Sequence, residues 1–438
     1  MVAKGRSAGT QRDIDKAIAL HRGGHLDQAA RLYQAVLAAD PDHVDALHFL
    51  GVLHHQRGRS DAAVASIEQA IGLAPDYADA HNNLGNVLKE LGRLEPAFRA
   101  YRRVVELVPG HADAWNNLGV VLRGQGLYDE ADQAYAQAIA ANPAHTPAWQ
   151  NRGNLLARLR RFDEAAAAYT RVLELRPRNT VAYDALGRTL YRAGKVDAAL
   201  QVYQEWLKAT PGNSIATHML AACRGEAAPA RASNDYVRET FDAFAGSFDQ
   251  VLDQLGYRAP TLIAARLDAV LPAADGSLVV ADAGCGTGLC ADFLRPRARR
   301  LVGIDLSPGM LTRARARSAY DELVEAELLV WLGRQRPVFD LIVSADTLCY
   351  FGALDTVCAA AATALRPGGR LVFTVERARD GVETYQLDPS GRYSHSGQYV
   401  RESLAGAALD RIAIAPVVLR REVGHEVHGL LVSAERPT

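Results

Sequence analysis

The sequence predicts a multidomain chain: an all-α superhelix of helical hairpins, followed by an α/β domain of Rossmann-like type. Three observations carry this prediction. Prolines fall at 41, 75, 109, 143, 177 and 211, always 34 apart. The run Val279-Val280-Ala281-Asp282-Ala283 leads straight into Gly284-Cys285-Gly286-Thr287-Gly288. A second apolar run, Leu301-Val302-Gly303-Ile304, ends on Asp305. The length, 438 residues, gives room for two or three domains with their own cores. Lys and Arg number 49 against 50 Asp and Glu, so no global pull toward nucleic acid or an anionic membrane exists. No stretch is long and apolar enough to span a bilayer, and residues 1–7 lack a hydrophobic signal core. A soluble, cytoplasmic protein is expected. The five cysteines contain no CxxC pair and read as free thiols, while His54-His55 is adjacent rather than i, i+4, so no metal site is expected.

The first half repeats itself. Ala17, Gly51, Gly85, Gly119, Gly153 and Gly187 share the 34-residue period, as do Ala29, Ala63, Ala97, Ala131, Ala165 and Ala199. Tyr33, Ile67, Tyr101, Tyr135, Tyr169 and Tyr203 follow four residues after those alanines. This is the tetratricopeptide period and pattern. Each unit reads as a hairpin whose small residues let helices A and B approach, and whose proline closes helix B. Stacking of neighbours supplies the core. Residues 215–223 begin like another helix A without a partner and read as a cap; 225–231 read as the linker. Helix A should line the concave face, where Asn83, Asn117 and Asn151 recur, with Asn86 and Asn154 one turn on. Such a ladder offers donors and acceptors that suit a peptide backbone. In this it resembles the superhelix of O-GlcNAc transferase. Trp115 and Trp149 read as core.

The glycine turn between the two apolar runs reads as a nucleotide-handling βαβ unit. Gly284 and Gly286 let the backbone pass close to a ligand. A helix predicted over 289–294 would point its free N–H groups at the ligand. Asp305 is placed to accept from ribose hydroxyls. A dinucleotide fingerprint wants a third glycine where this chain has Leu289. The pattern Gly284-x-Gly286-x-Gly288, preceded by Asp282, instead resembles motif I of the class I S-adenosylmethionine (SAM) methyltransferases. The resemblance implies SAM as cofactor, with Asp282, Gly284, Cys285, Gly286, Gly288 and Asp305 around it.

The remaining elements fit that expectation. Phe241, Phe244 and Phe248 share one face of a helix predicted over 236–249, either closing over SAM or packing on the sheet. Arg258 reads as solvated or as a donor to the SAM carboxylate. Ser307 suits a helix cap ahead of Pro308, and Leu306 with Met310 would wall the adenine slot. Residues 326–331 read as strand three, putting Glu327 on the adenine amino group beside Leu328. Phe339-Asp340-Leu341-Ile342-Val343-Ser344-Ala345-Asp346 reads as strand four and resembles motif IV, with Ala345 at the cofactor. Leu365-Arg366-Pro367-Gly368-Gly369 is a further mark of the class. Apolar segments near 412–419 and 429–434 would close a seven-stranded mixed sheet with an antiparallel edge pair.

The chain as a whole is similar to bacterial tetratricopeptide-containing methyltransferases of predicted function. This implies an array over 1–213, a cap and linker over 214–235 and a methyltransferase domain over 236–438. It further implies transfer of a methyl group to an O or N acceptor, with the array recruiting a peptide or protein partner. A small-molecule methyltransferase using the array for localisation, or a non-catalytic SAM-binding scaffold, are the alternatives; Leu289 and the closing strands disfavour a nicotinamide oxidoreductase. A base is needed only for a protonated nucleophile. Asp346, Tyr350 and His395 are the candidates, His395 foremost. It lies in 391–399, an expected polar-aromatic loop of the kind that carries function. Glu376, Tyr393 and Tyr399, with Asn83, Asn117 and Asn151, are the expected substrate contacts.

Overall fold

In each of five repeats the helix-A small residue is a glycine because a helix-B side chain occupies the space a Cβ would need. A Cβ on Gly85 would lie 2.7 Å from Tyr101, one on Gly119 2.6 Å from Tyr135, and one on Gly153 2.6 Å from Tyr169. Gly51 faces Ile67 in the same way, and Gly187 faces Tyr203. Helix pairs run from Ala8–Arg22 with Leu26–Ala39 to Thr180–Arg192 with Val196–Ala209. Two residues after the periodic proline, His43, His111, His145 and Asn213 each cap the next helix A by accepting a backbone N–H. Trp115 and Trp149 are only half-buried, and their indole N–H groups tie down the carbonyls of Pro109 and Pro143.

The structure, a computed structural model, describes residues 8–225, 228–422 and 425–438. Residues 1–7, and Glu226-Ala227 of the expected linker, lie outside them. The chain divides into two compact units, Met1–Ala185 and Leu186–Thr438. The second unit therefore takes in the helices Val196–Ala209 and Ser214–Arg224. The expected cap is the latter helix, and it does have a partner. His218 stacks on Tyr236 at 3.8 Å and its Nε2 donates to the Gly391 carbonyl at 2.9 Å.

The sheet of the second unit follows from alternation along its strands. In β1 (Leu278–Ala283), Val279, Ala281 and Ala283 face one core and Val280 the other. With β2 (Ala298–Asp305), β3 (Glu322–Glu325), β4 (Phe339–Ser344) and β5 (Leu365–Arg377) it forms a parallel set ordered β3-β2-β1-β4-β5. A short hairpin, β6 (Tyr385–Leu387) and β7 (Tyr393–His395), pairs with the last residues of β5. The closing strands β8 (Asp410–Glu422) and β9 (His425–Glu435) are antiparallel, β9 lying against β5. Six of the seven expected strands are present, a strand at Glu322–Glu325 stands in for the third, and the hairpin makes nine among the described residues.

Three expectations are corrected. The apolar stretch 326–331 is no strand: β3 ends at Glu325 and a helix spans Leu328–Gly333. The helix after the glycine turn starts at Ala291 and holds four residues. The stretch 391–399 is β7 and the start of the helix Gly397–Gly406 rather than a loop.

Candidate active site

The site is built at the carboxyl ends of β1, β2 and β4. Beyond Ala283 the chain turns through Gly284, Gly286 and Gly288 at φ +78, +54 and +88, values that L side chains rarely adopt. The N–H groups of Gly284 and Cys285 both donate to the Ile304 carbonyl, binding the turn to β2. Gly284 has a second reason to be glycine, since its Cβ would lie 2.0 Å from Thr347 Oγ1. Gly286 faces open space, with only Phe248 within 4 Å of where a Cβ would stand. Gly288 instead packs under Arg317 and Tyr320, away from the cavity.

Asp305 ends β2 with its carboxylate held from both sides. Oδ2 accepts from Gly286 N at 2.8 Å and Oδ1 from Ser307 N at 2.9 Å. Burial raises its pKa, against the pull of those N–H groups. A partly open cavity of about 110 Å³ lies against it. Gly284, Gly286, Asp305, Leu306, Met310, Glu327, Leu328, Ala345, Asp346 and Tyr350, all expected at the site, line this cavity. The expected helix 236–249 is two helices, Asn234–Phe244 and Phe248–Gln254. Phe241 and Phe248, one from each, line the cavity and meet edge to face at 6.1 Å. Arg258 is exposed and lies elsewhere.

Several expected residues do other work. Asp282 lies on the Val280 face of β1, is buried, and accepts from Tyr320 Oη at 2.6 Å. Burial pushes its carboxyl up to about 7. Cys285 is buried and does not line the cavity. Glu327 reaches the cavity as a helix cap: its two oxygens accept from Leu329 N and Val330 N at 3.1 and 2.8 Å.

His395 is not placed as a base. It is fully buried on β7, and its Nε2 donates to the carbonyls of Phe351 and Gly352 at 2.8 and 3.2 Å. Those acceptors require the proton on Nε2, and burial lowers the pKa to about 4. The ring ties the segment after β4 to the hairpin, outside the cavity lining. Tyr393 is fully buried and donates to the Pro229 carbonyl at 2.8 Å. Tyr399 accepts from Leu354 N and donates to Asp355. Both are packing residues. Glu376 is held by Arg420 and Arg392 behind the cavity wall.

Asp346 lines the cavity in a left-handed backbone conformation, φ +53. Its Oδ2 accepts from Arg420 Nη1 at 2.9 Å. Arg420 was missed for a physical reason. A register shift between Val418 and Arg420 breaks the alternation of β8 and turns this guanidinium inward, where it is 1 % exposed. Arg231, Asn234 and Thr347 also line the cavity without having been singled out. In the array, the amide donors of Asn83, Asn117 and Asn151 go to His48, Asn86 and Asn116, each about one repeat back. The ladder cross-links repeats through one N–H of each amide.

An open parallel sheet with an antiparallel closing pair, a glycine turn and a fixed acid at the end of β2 define a class I methyltransferase domain. Residues 281–373 match the family described as methyltransferase domain. Residues 14–78, 76–144 and 151–214 match families described as tetratricopeptide repeat. The chain therefore carries tetratricopeptide repeats followed by a class I methyltransferase domain. Among curated proteins it is similar to methyltransferase-like protein 27 of Homo sapiens, 43% identical over 84 residues, 19% of this chain and 34% of that protein. It is similar to trans-aconitate 2-methyltransferase of Paracidovorax citrulli, 31% identical over 148 residues, 33% of this chain and 52% of that one. Malonyl-[acyl-carrier protein] O-methyltransferase of Pectobacterium atrosepticum is 35% identical over 115 residues, 25% of this chain and 42% of that one. The chain thus spans about a third to a half of the length of these relatives.

Proposed function

We propose that this protein is a SAM-dependent methyltransferase acting on an O or N acceptor, and that its repeat array recruits a peptide or protein partner. One observation carries the first part. Asp305 is fixed in the wall of a cavity whose charged lining is Asp305, Glu327 and Asp346 against a single guanidinium among the described residues, Arg231. That guanidinium is committed to Asn234 at 2.7 Å and lies 3.8 Å from Glu327. An acid-rich lining suits a cationic sulfonium and disfavours a pyrophosphate.

The residues present fit the group. Asp305 accepts from the N–H groups of Gly286, Leu306 and Ser307, and a carboxylate's roughly four acceptor sites leave capacity for ribose hydroxyls. Gly286 leaves room for close approach, and Leu306, Met310 and Leu328 supply apolar walls for a flat base. When bound, SAM supplies an electrophilic methyl group; the protein's work is to align the acceptor and exclude water. Phe241 and Phe248 add apolar rings to the lining, which serves exclusion.

The partner reading rests on what tetratricopeptide arrays commonly do rather than on the asparagines. No helix among the described residues is long and apolar enough to cross a membrane. Calorimetric titration with SAM and, separately, with NAD tests the cofactor assignment. Binding of SAM alone is expected, and binding of NAD alone, or of neither, contradicts it.

A further inference from the structure

Beyond β4 the cavity wall is made by Asp346, Thr347 and Tyr350. Behind it lies a network of two guanidiniums and three carboxylates, centred on the buried Arg420. Arg420 reaches Asp346 Oδ2 at 2.9 Å, Glu422 Oε1 at 2.7 Å, and Glu376. Arg392 reaches Glu422 at 3.1 Å and Glu376 at 3.4 Å, and its Nε lies 3.4 Å from Tyr350 Oη. Both cations face inward onto acids, and neither lines the cavity; Asp346 and Tyr350 do.

An acceptor carboxylate needs a cation presented to it, because an unpaired anion beside a carboxylate in a low-dielectric site is strongly disfavoured. This cavity presents the reverse, since Arg231, the guanidinium in its described lining, is already held by Asn234 and Glu327. Two of the similar proteins are named for acidic acceptors, trans-aconitate and malonyl-[acyl-carrier protein].

We infer, resting on the SAM reading above, that the acceptor is a hydroxyl or amine rather than a carboxylate. It donates its proton to Asp346, with Arg420 as the positioning residue that holds that carboxylate toward the cavity. The balance is simple. The acceptor's O–H or N–H proton passes to an Asp346 oxygen as its lone pair bonds the methyl carbon. The carbon–sulfur bond breaks with its electron pair left on sulfur, giving a neutral thioether, and Asp346 later returns the proton to water. Burial raises the Asp346 carboxyl against the pull of Arg420 and Arg392, which suits it to take a proton. Thr374, donating to Asp346 Oδ1 at 3.3 Å, steadies the same side chain.

The test incubates the full chain with methyl-tritiated SAM and an extract of the cells it comes from, then treats labelled products with mild alkali. Methyl esters release tritiated methanol; methyl ethers and methylamines do not. Alkali-stable label is expected. Asp346→Asn should lower transfer on the order of 100-fold or more, well beyond whatever SAM affinity it loses by calorimetry. Arg420→Lys keeps the charge but loses the rigid planar fork that spans three carboxylates. It should lower kcat at unchanged SAM affinity and move the acid limb of the pH profile. Volatile methanol, or undiminished transfer by Asp346→Asn, would overturn the acceptor inference and leave the SAM reading intact. SAM binding with no label passed to any component would also overturn it, because the extract supplies both acceptor classes. Absence of SAM binding would sink the underlying reading instead. If Asp346→Asn does not fold, the alkali result on the unaltered protein still decides.

Discussion

Both units bury tyrosines, for opposite reasons. In the array, Tyr101, Tyr135 and Tyr169 fill space opened by Gly85, Gly119 and Gly153, and each pair recurs sixteen residues apart. In the sheet unit, Tyr393 and Tyr399 are held by one-off bonds to Pro229, Leu354 and Asp355. A contact made five times leaves a pattern in the chain. A contact made once leaves none, so its residue looks like any other exposed candidate. His395 shows the consequence: dense aromatic and hydroxyl neighbours suggest chemistry, yet the ring is a buried strut between two carbonyls.

The largest expected effect tests whether the two regions also respond alike. His48 in the array and His395 in the sheet unit are both buried, each with its pKa lowered to about 4, chiefly by burial. His48 is further held by Tyr77 and Asn83, and Asp79 and Asp45 oppose its shift. A folded-state pKa below the ordinary 6.5 means the unfolded chain binds the proton first. Stability is therefore complete above about pH 6.5 and falls as pH drops toward 4, by up to about 3 kcal/mol for each histidine. Thermal melts at pH 7 and 4.5, followed separately for each unit by hydrogen exchange, should show both weakening. If His395→Ala removes the acid sensitivity of the sheet unit but not of the array, the two struts are independent. An unchanged acid response would contradict the assignment.

The next effect should separate the regions. Asp305→Ala should weaken SAM binding by roughly 1.5–3 kcal/mol through loss of charge-assisted bonds, with the array's exchange protection unaltered. Unchanged affinity would remove Asp305 from the site. Gly119→Ala is the converse. Alanine favours helix by about 1 kcal/mol, but its Cβ would meet Tyr135 at 2.6 Å. A net destabilisation of about 1–2 kcal/mol is expected in the array alone, and adding Tyr135→Ile should not relieve it, since Ile67 crowds Gly51 to the same 2.6 Å. A stabilised Gly119→Ala would show that the close approach is not limiting. Smallest, Tyr393→Phe should lower sheet-unit stability by about 1 kcal/mol for its one hydrogen bond and leave turnover alone. A large loss of turnover would return Tyr393 to the substrate contacts.

Much of the fold was legible in the chain. The proline period set the hairpins, and Gly284 to Asp305 set the β1–β2 unit with its acid in place. What stayed hidden has particular causes. The stretch 326–331, five apolar residues and Glu327, has no periodicity that separates strand from helix, and Glu327 is the cap that decides for helix. A Cβ test no sequence contains explains Gly284 through Thr347 and takes Gly288 out of the cavity. Arg420 depends on a bulge that reverses the face it would otherwise show. The network it centres on joins the turn after β4 to β5 and β8, segments separated in the chain.

The central claim is that the cavity beside Asp305 receives SAM. A crystal of the full chain soaked in SAM tests it most directly. The account predicts a single nucleoside with its ribose hydroxyls on Asp305, its base between Leu306, Met310 and Leu328, and its sulfonium facing Asp346. An empty cavity at saturating SAM, or the nucleoside bound elsewhere on the chain, would contradict it.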